Sequence, residues 1–309
     1  MDEKNMQFAN FNITFGENNS PMLEYFENIV FPAFTGDYIR GKRDDLPRYF
    51  FENVQVKEID DEYVMVGNYV KETEYKVITT VHEGELVNSP ADIPTAPYSR
   101  FLIFLKNHRM VLVRNETGSP DIRSFQKTVR EILSTHIREE NRKREKENKL
   151  PIAIVHIVDI PLKDNIAEVL KNVNKVNWFK LRFFPLNNDL DPLPLAKYVR
   201  DDMRTVGSKT TNIVFNTPAS KNGITKVIEE TGGLAEASLL VTDAEGEKRR
   251  ITEEAFTSTT KIEYNGNISP SGDAYIASQA KKDGVISNTS PDNARIYERL
   301  KEAIRKLVS

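Results

Sequence analysis

Cysteine is absent from the 309 residues. That removes disulfides, thiolate nucleophiles, iron–sulfur clusters and cysteine-ligated zinc in one stroke. The phosphate- and dinucleotide-cradling patterns GxxxxGK[ST] and GxGxxG are missing as well. So are HExxH, GxSxG and the protein-kinase set, which excludes a nucleotide-driven motor and a Rossmann dehydrogenase. No apolar run approaches the roughly 18 residues needed to span a bilayer. The start of the chain, Met1-Asp2-Glu3-Lys4-Asn5, lacks a basic stretch followed by an apolar one, so no signal peptide is expected. The formal net charge is −3, so no global basic field draws the molecule to nucleic acid or anionic membrane, and any such attraction has to come from a local patch. A cytoplasmic protein with no membrane partner and no cofactor is the expectation.

What is there is the composition of a globular protein, 39% hydrophobic and 29% charged, long enough for two domains. The expected fold class is mixed α/β (α+β). Residues 1–149 read as an antiparallel β-meander domain with a long helix. Residues 150–309 read as a βαβαβ-type domain with a β-hairpin appendage and a terminal helix.

In the first part, Phe8 to Phe15 alternates as a half-buried strand, and Ser20-Pro21 opens a helix that Pro32 ends. Strands are expected at Tyr49–Ile59, Glu62–Val70 and Tyr75–Val81, with turns at Asp60-Asp61 and across 71–74. Gly84 to Pro97 reads as a proline-bearing loop. Phe101–Leu105 and Met110–Val113 form a hairpin turning at Asn107-His108. A helix opened by Ser119-Pro120 carries Ile122, Phe125, Val129, Ile132, Leu133 and Ile137 on one stripe, then runs into a charged extension.

From Pro151 to Pro218, strand-like runs at Ile152–Ile160, Val176–Phe184 and Asn212–Asn216 alternate with helix-like segments at Asp164–Val173 and Leu195–Val206. Crossover units on one sheet are the expectation. A hairpin at Ala237–Thr242 and Glu247–Ile251 follows, with Thr259–Tyr264 as a third strand beside it. Pro291 to Val308 is a terminal amphipathic helix.

Several groups of residues carry chemistry. Period two along Asn177–Phe184 puts Phe179, Leu181 and Phe183 on a core face, and Trp178, Lys180, Arg182 and Phe184 on the other. Aromatics interleaved with cations on a sheet face suit base stacking and phosphate neutralisation, whereas a helical second layer over long basic side chains gives the same pattern. Lys248-Arg249-Arg250 is a compact cation cluster, which joins Arg40, Lys42 and Arg43 as a phosphate-contacting patch or is plain surface. Asp61 followed by Glu74-Tyr75-Lys76 meets the minimal pattern of a metal-dependent nuclease, or is a set of exposed meander charges. Asp189-Leu190-Asp191 offers hard oxygen ligands to a divalent ion, or forms an Asx-type connection. Among the four histidines, His136 and His156 read as core or rim residues, His108 as a turn residue and His82 as a strand end; His156 and Asp159 point to opposite faces.

The order of elements resembles that of uncharacterised bacterial protein families found among phage-defence and abortive-infection genes. The residues carrying the resemblance are Ala96–Phe104, Asn107–Val113, Val155–Pro161 and Lys180–Asp189. It implies an intracellular antiviral role and transfers no catalytic residue. The functional expectation is therefore a bacterial antiviral-defence or regulatory component that binds nucleic acid or a partner protein, itself included. The alternatives are a nuclease using Asp61, Glu74 and Lys76, and a structural subunit of a larger complex.

Overall fold

A computed structural model describes residues 2–42, 45–161, 163–189, 193–256, 259–282, 284, 286 and 289–308. The chain is a mixed α/β protein built on two antiparallel sheets. It begins with β1 (Asp2–Phe15) and the short β2 (Ser20–Pro21). Instead of one helix after Ser20, a 3-10 turn (Met22–Tyr25), a π turn (Phe26–Val30) and a short α1 (Phe31–Thr35) follow in series. Asn187 rather than Ser20 accepts the Met22 amide, at 2.8 Å. Pro32 lies in the first turn of α1, where its missing N–H is harmless, so it does not end the helix.

Next come β3 (Ile39–Arg40), β4 (Arg48–Ile59), β5 (Glu62–His82) and β6 (Glu85–Thr95). No turn forms across 71–74, because Lys71-Glu72-Thr73-Glu74 contains no turn-former. The strand runs on to Glu83-Gly84, both at positive φ (51° and 88°), where a tight hairpin turn reverses it. The expected proline loop is therefore strand β6, with Pro90 inside a bulge that needs no ladder donor. β7 (Tyr98–Phe104) and β8 (Arg109–Arg114) make the expected hairpin, turning through His108 at φ 56°. The long α2 (Ile122–Arg142) buries the anticipated stripe, but its cap is Asp121, which accepts the Ser124 amide. Ser119 instead donates to the Tyr98 carbonyl.

The second half contains β9 (Ala153–Asp159), α3 (Lys163–Lys171), β10 (Val173–Phe183), α4 (Pro194–Val206), β11 (Thr211–Asn216), α5 (Lys221–Glu230), β12 (Glu236–Asp243), β13 (Lys248–Thr252), β14 (Thr259–Tyr264), α6 (Asp273–Lys282) and α7 (Pro291–Arg305). The helix–strand alternation is as expected, but the strands divide between the two sheets. The first sheet runs β14-β1-β8-β7-β5-β4-β3, with β9 also on β1; the second runs β11-β10-β12-β13.

The division falls in an unusual place. β14 pairs with β1 from Asp2 to Gln7, and β9 pairs with it from Ala9 to Phe15. The two lie end to end along β1 like a single strand interrupted between Asp159 and Thr259. The second sheet and its helices are the excursion between those points. The first unit thus includes β9, β14, α6 and α7, and its limits do not coincide with the 149/150 boundary expected from the sequence. Thr259–Tyr264 is not a neighbour of the β12–β13 hairpin, because its partner is β1.

Apart from the outer part of β5 and β6, the first sheet is covered on both faces. Phe11, Phe34, Phe101 and Phe125 pack on one side with α2 and α7; Phe8, Leu102, Val111 and α6 pack on the other. Gln126 and Arg130 of α2 donate to the Ile157 and Val155 carbonyls of β9, closing that sheet edge. No helix among the described residues is long and apolar enough to cross a membrane.

Candidate nucleic-acid interface

The second sheet is built differently. Phe179, Leu181 and Phe183 of β10, with Leu239, Val241 and Ile251 of its neighbours, bury one face against α3, α4 and α5. Register fixes what the opposite face presents. Trp178 lies between Asn216 of β11 and Leu240 of β12, and Leu240 lies beside Arg250 of β13. Lys180 lies between Val214 and Ser238, and Arg182 between Asn212 and Glu236. A bulge between Val176 and Trp178 puts Lys175 across from Thr242, whose other neighbour is Lys248. The face therefore carries Lys175, Lys180, Arg182, Lys248 and Arg250 against a single carboxylate, Glu236.

The cations converge on the indole. Lys180 Nζ is 5.8 Å from the Trp178 ring centroid, and the Arg250 guanidinium carbon is 6.0 Å from it. These are the outer distances for a cation–π contact. Trp178 is half-buried on this face. Arg182 is engaged, 3.0 Å from Glu236, which also lies 3.7 Å from His156 Nδ1. Burial works against the Glu236 carboxylate, but the His156 imidazole and the Arg182 charge outweigh it and hold its pKa below the ordinary value.

The structure separates residues that the sequence groups together. Phe184 lies past the end of β10 and is fully buried, its ring stacked on His156 at 4.2 Å and 7°. It is part of the joint between the two units and not of the open face. Arg249 alternates in direction with Lys248 and Arg250, as successive strand residues do; at this sheet edge Arg249 and Arg250 both border a cleft with Glu168 of α3 and with Glu254. Arg40 donates to Thr128 and Ser124 of α2 and lies 3.8 Å over the Tyr49 ring, and Lys42 pairs with Asp45. Both serve the first unit, and Arg43 lies outside the described residues. Lys175 is concealed in the sequence, because the bulge resets the period-two count.

The nuclease constellation does not assemble. Asp61 is in the β4–β5 turn, while Glu74 and Lys76 are on the same strand β5 more than ten residues further on. At ~3.3 Å per residue that is roughly 40 Å of extended chain. Asp189 is half-buried, accepts a 2.9 Å hydrogen bond from Asn293 and feels the charges of Arg109 and Arg200, and Leu190 and Asp191 lie outside the described residues. Burial raises the Asp189 carboxyl to about 6, while Arg109, the Asn293 hydrogen bond and Arg200 pull it back down. The positive charge of Arg109 and Arg200 opposes a divalent cation there. Among the described residues, no three His, Asp or Glu side chains are arranged to hold a metal.

His136 lies within reach of Tyr38 and the Asn28 carbonyl. His108 is enclosed, and burial followed by the Arg109 charge pushes its pKa down to about 3, so the ring is neutral. A second polar cluster marks where the chain leaves and re-enters the first sheet. Burial, reinforced by the nearby Glu236 and Asp159 charges, pushes the Glu253 carboxyl up to about 8.

Compared with known proteins, the chain matches no family model, and no curated protein or solved structure matches it either.

Proposed function

We propose that the open face of the second sheet binds single-stranded nucleic acid, with Trp178 as the stacking platform and Lys175, Lys180, Lys248 and Arg250 as phosphate contacts. The observation that carries this reading is the convergence of two cations from different strands on the protein's only tryptophan, on a sheet face that no helix among the described residues covers. A half-buried indole on a sheet face can support a base whatever its identity, because every base has a π face, and flanking cations neutralise the adjoining phosphates. A duplex keeps its bases stacked and offers none to the ring. Asn212 and Asn216 on β11 add amides that can meet base edges. A regulatory or antiviral role would act through this recognition. With Asp61 far from Glu74, the geometry does not favour a nuclease.

Fluorescence anisotropy with labelled single-stranded and duplex oligonucleotides tests the reading. Tighter binding of the single strand, lost in Lys180→Glu and Arg250→Glu proteins of native circular dichroism, is the expected result. Equal affinity for both forms, or unchanged binding by the charge-reversed proteins, would refute it.

A further inference from the structure

Two features of the first unit have no part in that recognition. One is the outer half of the β5–β6 hairpin. From Thr73 to Thr95 its two strands pair only with each other among the described residues. A two-stranded ribbon is marginal in water unless something covers it. This one leaves Tyr75 65%, Val81 69% and Leu86 80% exposed. Cross-strand register puts Tyr75 beside Ile93, Val77 beside Ala91 and Val81 beside Leu86, so the apolar residues form a ladder along one face. The arm is also acidic, with Glu74, Glu83, Glu85 and Asp92 against Lys76 alone.

The other feature is a groove of about 690 Å³ between the C-terminal end of α2 and the start of β9. Its floor is apolar, with Ile137 and with Ile152, which is 73% exposed. Its rim carries Arg138, Arg142, Arg144 and Lys149, and no carboxylate lines it among the described residues. Only Arg144 has an acidic neighbour, Glu140 at 3.7 Å; the other three have none within ion-pair distance among the described residues. The Asn141 side chain bonds both the amide and the carbonyl of Leu150, which holds the far wall in place.

We propose that the β5–β6 arm of one molecule docks in the α2–β9 groove of a second copy of the chain. The two surfaces match in chemistry, an acidic apolar ribbon against a cationic rim over an apolar floor. They cannot meet within one molecule. β5 and β9 are separated in the sheet by β7, β8 and β1, and the arm's strands are paired with each other alone. Because the arm and the groove are different patches, each contact is heterologous, and copies can chain or close into a ring. This assembly is independent of the open face of the second sheet.

Sedimentation velocity of the full chain over a dilution series tests the proposal. The wild-type protein is expected to associate reversibly and more weakly in high salt. Glu83→Lys with Glu85→Lys, and separately Arg138→Glu with Arg142→Glu, are each expected to sediment as monomers with native circular dichroism. Mixing the two variants matches the intact arm with the intact groove, and the reversed arm complements the reversed groove in charge, so association is expected to return. Should a reversed variant misfold, Leu86→Ser and Arg138→Gln with Arg142→Gln replace the pairs and are expected to weaken association severalfold. Monomeric wild-type protein at every concentration overturns the proposal, as does association that survives both sets of changes. A monomer whose oligonucleotide binding is lost on reversing Arg138 and Arg142 overturns it too, by giving the groove to a polyanion.

Discussion

The two sheets of this molecule share one chemistry of pairing and differ in what covers them. In the first sheet, β7 is buried at six consecutive residues and β8 at four, as strands enclosed on both faces must be. Even Arg100 is fully enclosed there, its guanidinium bonded twice to Asp273 at 2.8 Å and once to Asn68 at 2.9 Å. In the second sheet, β10 is buried only at alternate residues over its last stretch. One face is core, and the other is given to Trp178 and cations. Outside the β5–β6 arm, the first sheet is a scaffold whose side chains are committed to packing. The second leaves one face uncovered by helices among the described residues, and the chain attaches it as an excursion from a single edge line.

The contrast predicts opposite responses to substitution. The largest effects belong to the first sheet. Removing Asp273 leaves Arg100 buried and unpaired, and breaking a buried pair costs about 3–5 kcal/mol. Asp273→Ala is therefore expected to lower the urea midpoint sharply. Phe125→Ala, which takes out the ring packed against Phe11, Phe51, Tyr69 and Phe101, is expected to cost a similar 3–5 kcal/mol or so. Equal loss from Trp178→Ala would abolish the distinction between the sheets.

Trp178→Ala is instead expected to leave the unfolding midpoint nearly unchanged while weakening single-strand binding roughly tenfold, since stacking on an aromatic ring is worth about 1–3 kcal/mol per base.

A third prediction concerns the joint. A carboxyl whose pKa is raised on folding favours the folded state most below its unfolded value. Its contribution declines as pH climbs from near 4.5 through about 8, by at most about 1.4 kcal/mol for each pH unit crossed. The wild-type protein should therefore lose stability over that range at Glu253, and Glu253→Gln should flatten the decline in thermal melts. Parallel pH profiles for the two proteins would remove Glu253 as the cause.

The smallest effects separate neighbours on β13. Arg250→Ala is expected to weaken oligonucleotide binding severalfold and to reduce its salt dependence by about 0.7 in the logarithmic slope, one phosphate contact. Arg249→Ala, facing α3, should change neither.

Much of this architecture is legible in the chain. The alternation of Phe179, Leu181 and Phe183 with Trp178, Lys180 and Arg182 identifies both faces of β10, and the stripe from Ile122 to Ile137 identifies α2. What is illegible depends on partners distant in sequence. Nothing local distinguishes β9, which pairs with β1, from a strand of the second sheet. Nor does Thr259–Tyr264 announce that it completes the same edge as β9. Phe184 obeys the alternation of its strand yet lies beyond the strand's end, where His156 claims it. Lys175 is concealed by a bulge that only pairing reveals. The arm is hidden because prolines 90 and 94 suggest a loop, whereas an unpartnered ribbon tolerates proline at its edge and bulge.

If Trp178 and the cations around it form the recognition surface, the protein's single tryptophan makes that directly measurable. Tryptophan emission, followed while an oligothymidylate is titrated into the protein, reports on the Trp178 ring alone. Saturable quenching that weakens with added salt and disappears in the Lys180→Glu, Arg250→Glu double variant is the predicted result. Emission that stays constant while the oligonucleotide binds would place recognition elsewhere on the molecule and contradict the account.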